Sequence, residues 1–167
     1  MQTLQTISFL TALYSARPDN AHSLVLVPPY VVHNWSAEFA RWLPQSTLAP
    51  GGGAPASRHL TRHHVFMVQA AVVTEEAAKC VQKWVATPGG ALIISFAKFV
   101  QLVLMTKPEG RPRKAAAAAS SINGMGEAVT TAETERSRAA ELARMLREVP
   151  ASVVVDEGHY IRNPRER

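Results

Sequence analysis

Apolar positions along the 167 residues switch repeatedly between a helical period and unbroken short runs, and the switches predict alternating helices and strands. Leu4, Ile7, Leu10, Thr11 and Tyr14 recur at helical spacing until Arg17-Pro18-Asp19-Asn20 stops the segment with turn residues. Ser23-Leu24-Val25-Leu26-Val27 reads as a strand closed by Pro28-Pro29. Behind it, Val32, Trp35, Phe39, Trp42 and Leu43 fall on one face of a helix whose surface carries Asn34, Glu38 and Arg41. His63 to Val68 predicts a further strand, and Thr74-Glu75-Glu76 opens a helix with a capping residue and two first-turn acids. Ala77, Val81, Trp84 and Val85 are its inward positions, and Thr87-Pro88-Gly89-Gly90 breaks it. Ala91 to Ser95 is again a strand, followed by a helical pattern through Phe96, Phe99, Val100, Val103 and Leu104. A last helix from about Ala132 to Val149 turns Leu142, Met145 and Leu146 inward and stops at Pro150. Val153-Val154-Val155, three β-branched residues without polar alternation, predicts a strand buried on both faces in the middle of a parallel sheet. The alternation as a whole predicts an α/β fold, a mainly parallel sheet with helices on its faces.

Two stretches break the pattern. Residues 45–58 are rich in Pro, Gly, Ser and Ala, and residues 107–131 are similar with a basic cluster at Lys107, Arg111, Arg113 and Lys114. Both read as poorly ordered insertions in a single domain. A hydrophobic content of 47 % is enough for one core in a chain of this length. The formal charge of +5 suits a nucleic-acid partner without demanding one. Cys80, the single cysteine, has no partner for a disulfide and points to a reducing compartment and a core position on a helix. Ala91 to Met105, the most apolar segment, is interrupted by Lys98 and Gln101 and is shorter than the ~20 residues of a spanning helix, so no membrane span is expected. His59, His63 and His64 lack an accompanying Cys or carboxylate, and adjacent histidines on a strand point to opposite faces, which argues against a shared metal.

The chemistry concentrates where the last strand ends, at Asp156-Glu157-Gly158-His159. Ligands of open α/β sheets sit beyond the carboxyl ends of the strands, so this acidic pair is delivered into a crevice by a rigid element. Adjacent carboxylates there suit nucleotide hydrolysis: Asp156 can hold Mg2+ through its water shell while Glu157 orients or deprotonates the attacking water. Gly158 would let backbone pack closely behind the site, and His159 could couple it to a neighbouring loop. A solvated turn after a core strand is the plainer alternative.

The string Asp156-Glu157-Gly158-His159, with Ile161 and Asn163 after it, resembles the Asp-Glu-x-His box of helicase superfamily two in its Swi/Snf form, with glycine in third place as in the ATRX-like branch. Leu26-Val27-Pro28-Pro29 through Asn34-Trp35, Glu38-Phe39 and Trp42 resembles the Swi/Snf motif whose strand-end loop lies along nucleic acid. Gly89 to Phe96 resembles the segment whose strand end also faces DNA. The resemblance implies nucleic-acid contacts at Pro28, Pro29, Asn34, Ser95 and Lys98, with an ordinary surface lysine as the alternative for Lys98. Thr3 to Leu10 resembles the Swi/Snf segment directly after the Gly-Lys of the phosphate-binding loop, which places Thr3 as a hydroxyl for Mg2+. Met1-Gln2 stand where Gly-Lys is found, and Gly51-Gly52-Gly53 has no Gly-Lys-Ser/Thr after it.

The resemblance implies a three-layer, RecA-like P-loop NTPase lobe, partial and incomplete at both ends. Its cofactors are ATP and Mg2+, with Asp156, Glu157 and His159 as catalytic residues. The complete protein is implied to be a nuclear, DNA-dependent ATPase. It acts on double-stranded DNA and nucleosomes, and a second lobe completes the site. The chain alone is expected to be inactive. The alternative is a non-catalytic DNA- or protein-binding module descended from such an ATPase.

Overall fold

In a computed structural model, which describes residues 2–17, 21–45, 60–69, 74–104 and 125–158, helix and strand alternate as the hydrophobic periods predict. Helix α1 (Gln2–Ala16) leads into strand β1 (His22–Val27), and α2 (Val32–Trp42), β2 (Val65–Val68) and α3 (Thr74–Ala86) follow. Then come β3 (Gly90–Ser95), α4 (Phe96–Leu104), α5 (Met125–Glu148) and β4 (Ser152–Val155). The strands form one sheet in the order β2-β3-β1-β4, and each neighbouring pair is parallel.

Side chains alternate across β1 and β3, so each strand feeds two cores. Val25, Val27, Ala91 and Ile93 pack with Ile7, Leu10, Trp35 and Phe39 of α1 and α2 on one face. Leu24, Leu26, Leu92 and Ile94 pack with Val81, Trp84, Leu102, Leu142 and Leu146 of α3, α4 and α5 on the other. Right-handed crossovers account for this division. The step from β1 to β2 crosses the sheet in one direction, whereas β2 to β3 and β3 to β4 run back, so their helices cover the opposite face.

The strands buried throughout both faces are β1 and β3. β4, expected in the middle, lies instead at the edge of the described sheet beside β1. Its burial alternates: Val154 packs on the α1–α2 core, whereas Val153 and Val155 are 54 % and 39 % exposed. The reason is packing, because α5 turns Leu142 and Leu146 onto the core containing Leu24 and Leu26 and leaves the same face of β4 uncovered.

Three smaller expectations also change. Trp42 is 46 % exposed and donates its indole N–H to Glu38 Oε2 at 2.8 Å, because α2 ends there and extended Leu43 takes the core position. In α4, Phe96, Phe99 and Val103 pack on the core as expected, but Lys98 and Leu102 are the buried residues, while Val100 and Leu104 are exposed. Helix α5 begins at Met125, inside the stretch 107–131 read as an insertion; residues 107–124, and 46–58 of the other insertion, lie outside the described residues.

His63 and His64 belong to a 3-10 turn, Arg62–His64, that precedes β2. The Thr61 backbone N–H donates to His64 Nδ1 at 3.3 Å, which leaves Nε2 to carry the proton of the neutral ring and donate to the Tyr14 hydroxyl at 2.9 Å. Burial, helped by neighbouring His63, holds His64 below the ordinary histidine range. Cys80 packs partly against the core on α3, and burial pushes its thiol up, which keeps it protonated and unreactive.

Candidate functional site

The acidic pair is fixed to the sheet by one rung beyond the strand ladder: the Asp156 backbone N–H donates to Leu26 O at 2.9 Å. Its carboxylate is fixed by a second bond, in which Trp35 Nε1 donates to Asp156 Oδ2 at 2.7 Å. Asp156 is half-buried and Glu157 exposed, which gives the two carboxylates different surroundings at the same strand end. His159 lies outside the described residues.

Glu157 adopts φ 53, and no other described non-glycine residue has positive φ. A Cβ in the left-handed region costs about 1–2 kcal/mol, and strain of this kind collects at functional turns. Among the described residues, a Cβ at Gly158, read as the position needing close approach, would meet Val155 Cγ1 at 3.6 Å, an ordinary contact. Glu157→Gly is therefore expected to unfold at higher denaturant than Glu157→Ala, by about 1 kcal/mol, since glycine sheds the strain but gains unfolded-state freedom. Coincident urea midpoints for the two variants would show that the turn stores no such strain.

Two further strand ends lie at the same edge. The helices following β1 and β3, which are adjacent strands, leave toward opposite faces of the sheet, the arrangement at which open α/β sheets bind ligands. Pro28 is buried, and its carbonyl accepts the Val31 N–H at 3.1 Å to form the 3-10 turn Pro29–Val31. Pro29 and Asn34 are exposed. Tyr30, which sequence reasoning passed over, is 69 % exposed; an aromatic directly after a strand-closing Pro-Pro was the available signal. Ser95 and Lys98 are 0 % and 4 % exposed, and Ser95 Oγ accepts the Lys98 backbone N–H at 3.3 Å. Ser95 thus caps α4, and Lys98 is directed inward instead of standing on the surface.

The family model of the SNF2-related domain matches residues 2–167. The chain belongs to the SNF2-related domain family. Helicase ARIP4 of Homo sapiens is 29 % identical over 170 residues, covering 97 % of this chain and 11 % of that protein. Helicase ARIP4 of Xenopus tropicalis is 31 % identical over 172 residues, covering 97 % of this chain and 12 % of that protein. Nuclear protein STH1/NPS1 of Saccharomyces cerevisiae is 36 % identical over 64 residues, 38 % of this chain and 5 % of that protein. The chain spans about a tenth of the length of the two ARIP4 proteins.

In this SNF2-related domain, Thr3 lies near the start of α1 and Tyr14 near its end. Tyr14 meets His64, and His64 abuts Gly90, the first residue of β3, so the end of α1 sits at the amino ends of the strands. A helix rises about 1.5 Å per residue, so Thr3 lies about 16 Å from Tyr14 along α1. Thr3, Asp156 and Glu157 offer only oxygen donors, the donor type Mg2+ takes together with water and phosphate. Among the described residues no group of three or more His, Cys, Asp or Glu converges into a metal cage. That donor set fits a cation shared with a nucleotide better than one held by protein alone. No described helix is long and apolar enough to cross a membrane.

Proposed function

We propose that this SNF2-related domain carries part of the ATP-hydrolysing site of a nuclear DNA-dependent ATPase that acts on chromatin or other DNA–protein complexes. The observation that carries the reading is the anchored Asp156 beside the turned-out Glu157 at the carboxyl end of a parallel strand. The family match and relatives named as helicases and as a nuclear protein support it. Bound Mg2+ would neutralise charge on the phosphates during transfer. Asp156 and the Thr3 hydroxyl would hold its water shell, and Glu157 would orient or deprotonate the attacking water. His159 would couple this pair to an adjoining loop.

Residues 1–167 alone would not turn over ATP, because the sequence offers no Gly-Lys loop to hold the β- and γ-phosphates in line. The second reading is a module that binds DNA or protein without catalysis. The two share a nucleic-acid surface at the loops after β1 and β3, with Pro29 and Asn34 as exposed contacts; Pro28, Ser95 and Lys98, which are buried, would support these loops from beneath. The Lys107-to-Lys114 cluster would add basic charge, and double-stranded DNA, nucleosomal DNA included, is the proposed partner.

Binding through a few phosphates draws its free energy largely from counterion release, so affinity should fall with salt with a log–log slope near −0.9 per phosphate contacted. Titrating duplexes of unrelated sequence at several salt concentrations checks this. Similar affinities with steep salt dependence are expected; salt-insensitive binding or strong preference for one sequence contradicts the mechanism.

A further inference from the structure

We propose that Trp35 is the positioning residue of the acidic box, orienting the Asp156 carboxylate and tying it to the strand-end loop that faces nucleic acid. The inference rests on the ATPase reading for the metal that Asp156 serves. The bond itself is independent of that reading.

The indole and the carboxylate are 121 positions apart in sequence, yet Nε1 lies 2.7 Å from Oδ2, at the short end expected when the acceptor is ionised. Trp35 is 5 % exposed, and its ring lies 6.3 Å from Phe39. A phenyl ring could supply that packing. What tryptophan adds is an N–H, and a buried N–H needs an acceptor.

The two attachments of Asp156 flank a single loop. Its backbone N–H holds Leu26 O, just before Pro28-Pro29, and its carboxylate is held by Trp35, just after the turn Pro29–Val31. Val32, the residue after that turn, is 2 % exposed, so the start of α2 is seated in the core. A shift of the exposed Pro29-Tyr30 tip therefore reaches Asp156 from both sides, by the β1 backbone and by one side chain of α2. Such an arrangement gives a DNA-contacting loop a direct physical route to the residue that holds the metal's water shell, and it fixes which carboxylate oxygen is turned away from that shell.

Two measurements test this. In residues 1–167, the 15N-labelled indole N–H signal of Trp35 is the one lost in Trp35→Phe, with Trp42 and Trp84 giving the others. It should lie downfield and move upfield in Asp156→Asn while the other two stay in place. A Trp35 signal indifferent to Asp156→Asn would overturn the proposal. In a two-lobed protein, made by joining these residues to a Gly-Lys loop and a second lobe, Trp35→Phe should raise the Mg2+ concentration for half-maximal DNA-stimulated hydrolysis about 10-fold. KM for ATP at saturating Mg2+ and affinity for DNA should be kept, which a general loss of structure would not permit. Hydrolysis by the unsubstituted protein with Mg2+ dependence unchanged in Trp35→Phe removes the positioning role alone. Failure of the unsubstituted protein to hydrolyse ATP removes the ATPase reading and this role with it, while the indole signal still reports whether the bond exists.

Discussion

Glu157→Gln in the two-lobed protein is expected to lower ATP turnover by about 10²-fold or more and to leave ATP binding close to that of the unsubstituted protein. Glutamine keeps the size of the side chain and can hydrogen-bond water, but it can neither accept the water's proton nor polarise it as a carboxylate does. On the proposed reading Asp156 and Thr3 would still hold the cation's water shell, which is why binding should survive. The left-handed turn at Glu157 sharpens the comparison, since glutamine bears the same Cβ and the same strain. A difference in turnover therefore reports the carboxylate and not the backbone. Steady-state hydrolysis and nucleotide binding measured side by side check this, and turnover within a few-fold of the unsubstituted protein would remove Glu157 from the catalytic role.

The largest expected effect on stability falls far from the acidic pair, at Gly90. Its φ is 120, and a Cβ there would stand 2.6 Å from the carbonyl oxygen of His64. That oxygen belongs to backbone held in the turn before β2, where His64 N–H donates to Thr61 O at 3.0 Å and Thr61 Oγ1 lies 2.8 Å from His64 Nδ1. Gly90 is held as firmly: its N–H donates to Ala21 O at 3.3 Å, and its carbonyl accepts the indole N–H of fully buried Trp84 at 3.2 Å. Neither side can step away. Gly90→Ala thus combines backbone strain with a steric clash, each worth about 1–3 kcal/mol, against a typical total of about 5–15 kcal/mol. Urea unfolding of Gly90→Ala beside Gly158→Ala, whose added methyl meets only an ordinary contact among the described residues, measures the difference. Gly158→Ala should stay within about 0.5 kcal/mol of the parent; equal midpoints for the two variants would contradict the packing described at Gly90.

Local pattern made most of the fold legible. β1, β3, α2 and α3 come directly from runs such as Leu24-Val25-Leu26-Val27 and from the helical spacing of Ala77, Val81 and Trp84, because both signals are confined to one element. Position within the sheet is a different matter. Val153-Val154-Val155 reads as fully buried because β-branched runs usually are, yet whether β4 is covered depends on where α5 lays Leu142 and Leu146. The site was legible in composition and not in conformation. Asp156 and Glu157 stand out as residue types at a strand end, but the positive φ belongs to Glu157 and not to the glycine beside it, which residue type alone points away from. The Trp35–Asp156 bond was hidden for a third reason. Trp35 sits on a face whose spacing already explains it as core, and nothing local shows where its N–H goes. Ser95 and Lys98 were read from the ends of their elements as open polar groups, whereas Ser95 caps α4 and both residues are buried.

The central claim is that the strand end at Asp156-Glu157 is the hydrolytic part of an ATP site and depends on a phosphate-holding loop supplied beside it. Phosphate release with and without duplex DNA, assayed for residues 1–167 and for the two-lobed protein, with Glu157→Gln of each as the control for contaminating activity, tests it most directly. The account predicts no release above that control from residues 1–167, and DNA-stimulated release from the two-lobed protein that Glu157→Gln abolishes. DNA-stimulated release from residues 1–167 that vanishes in Glu157→Gln, or release from the two-lobed protein that survives it, would contradict the account.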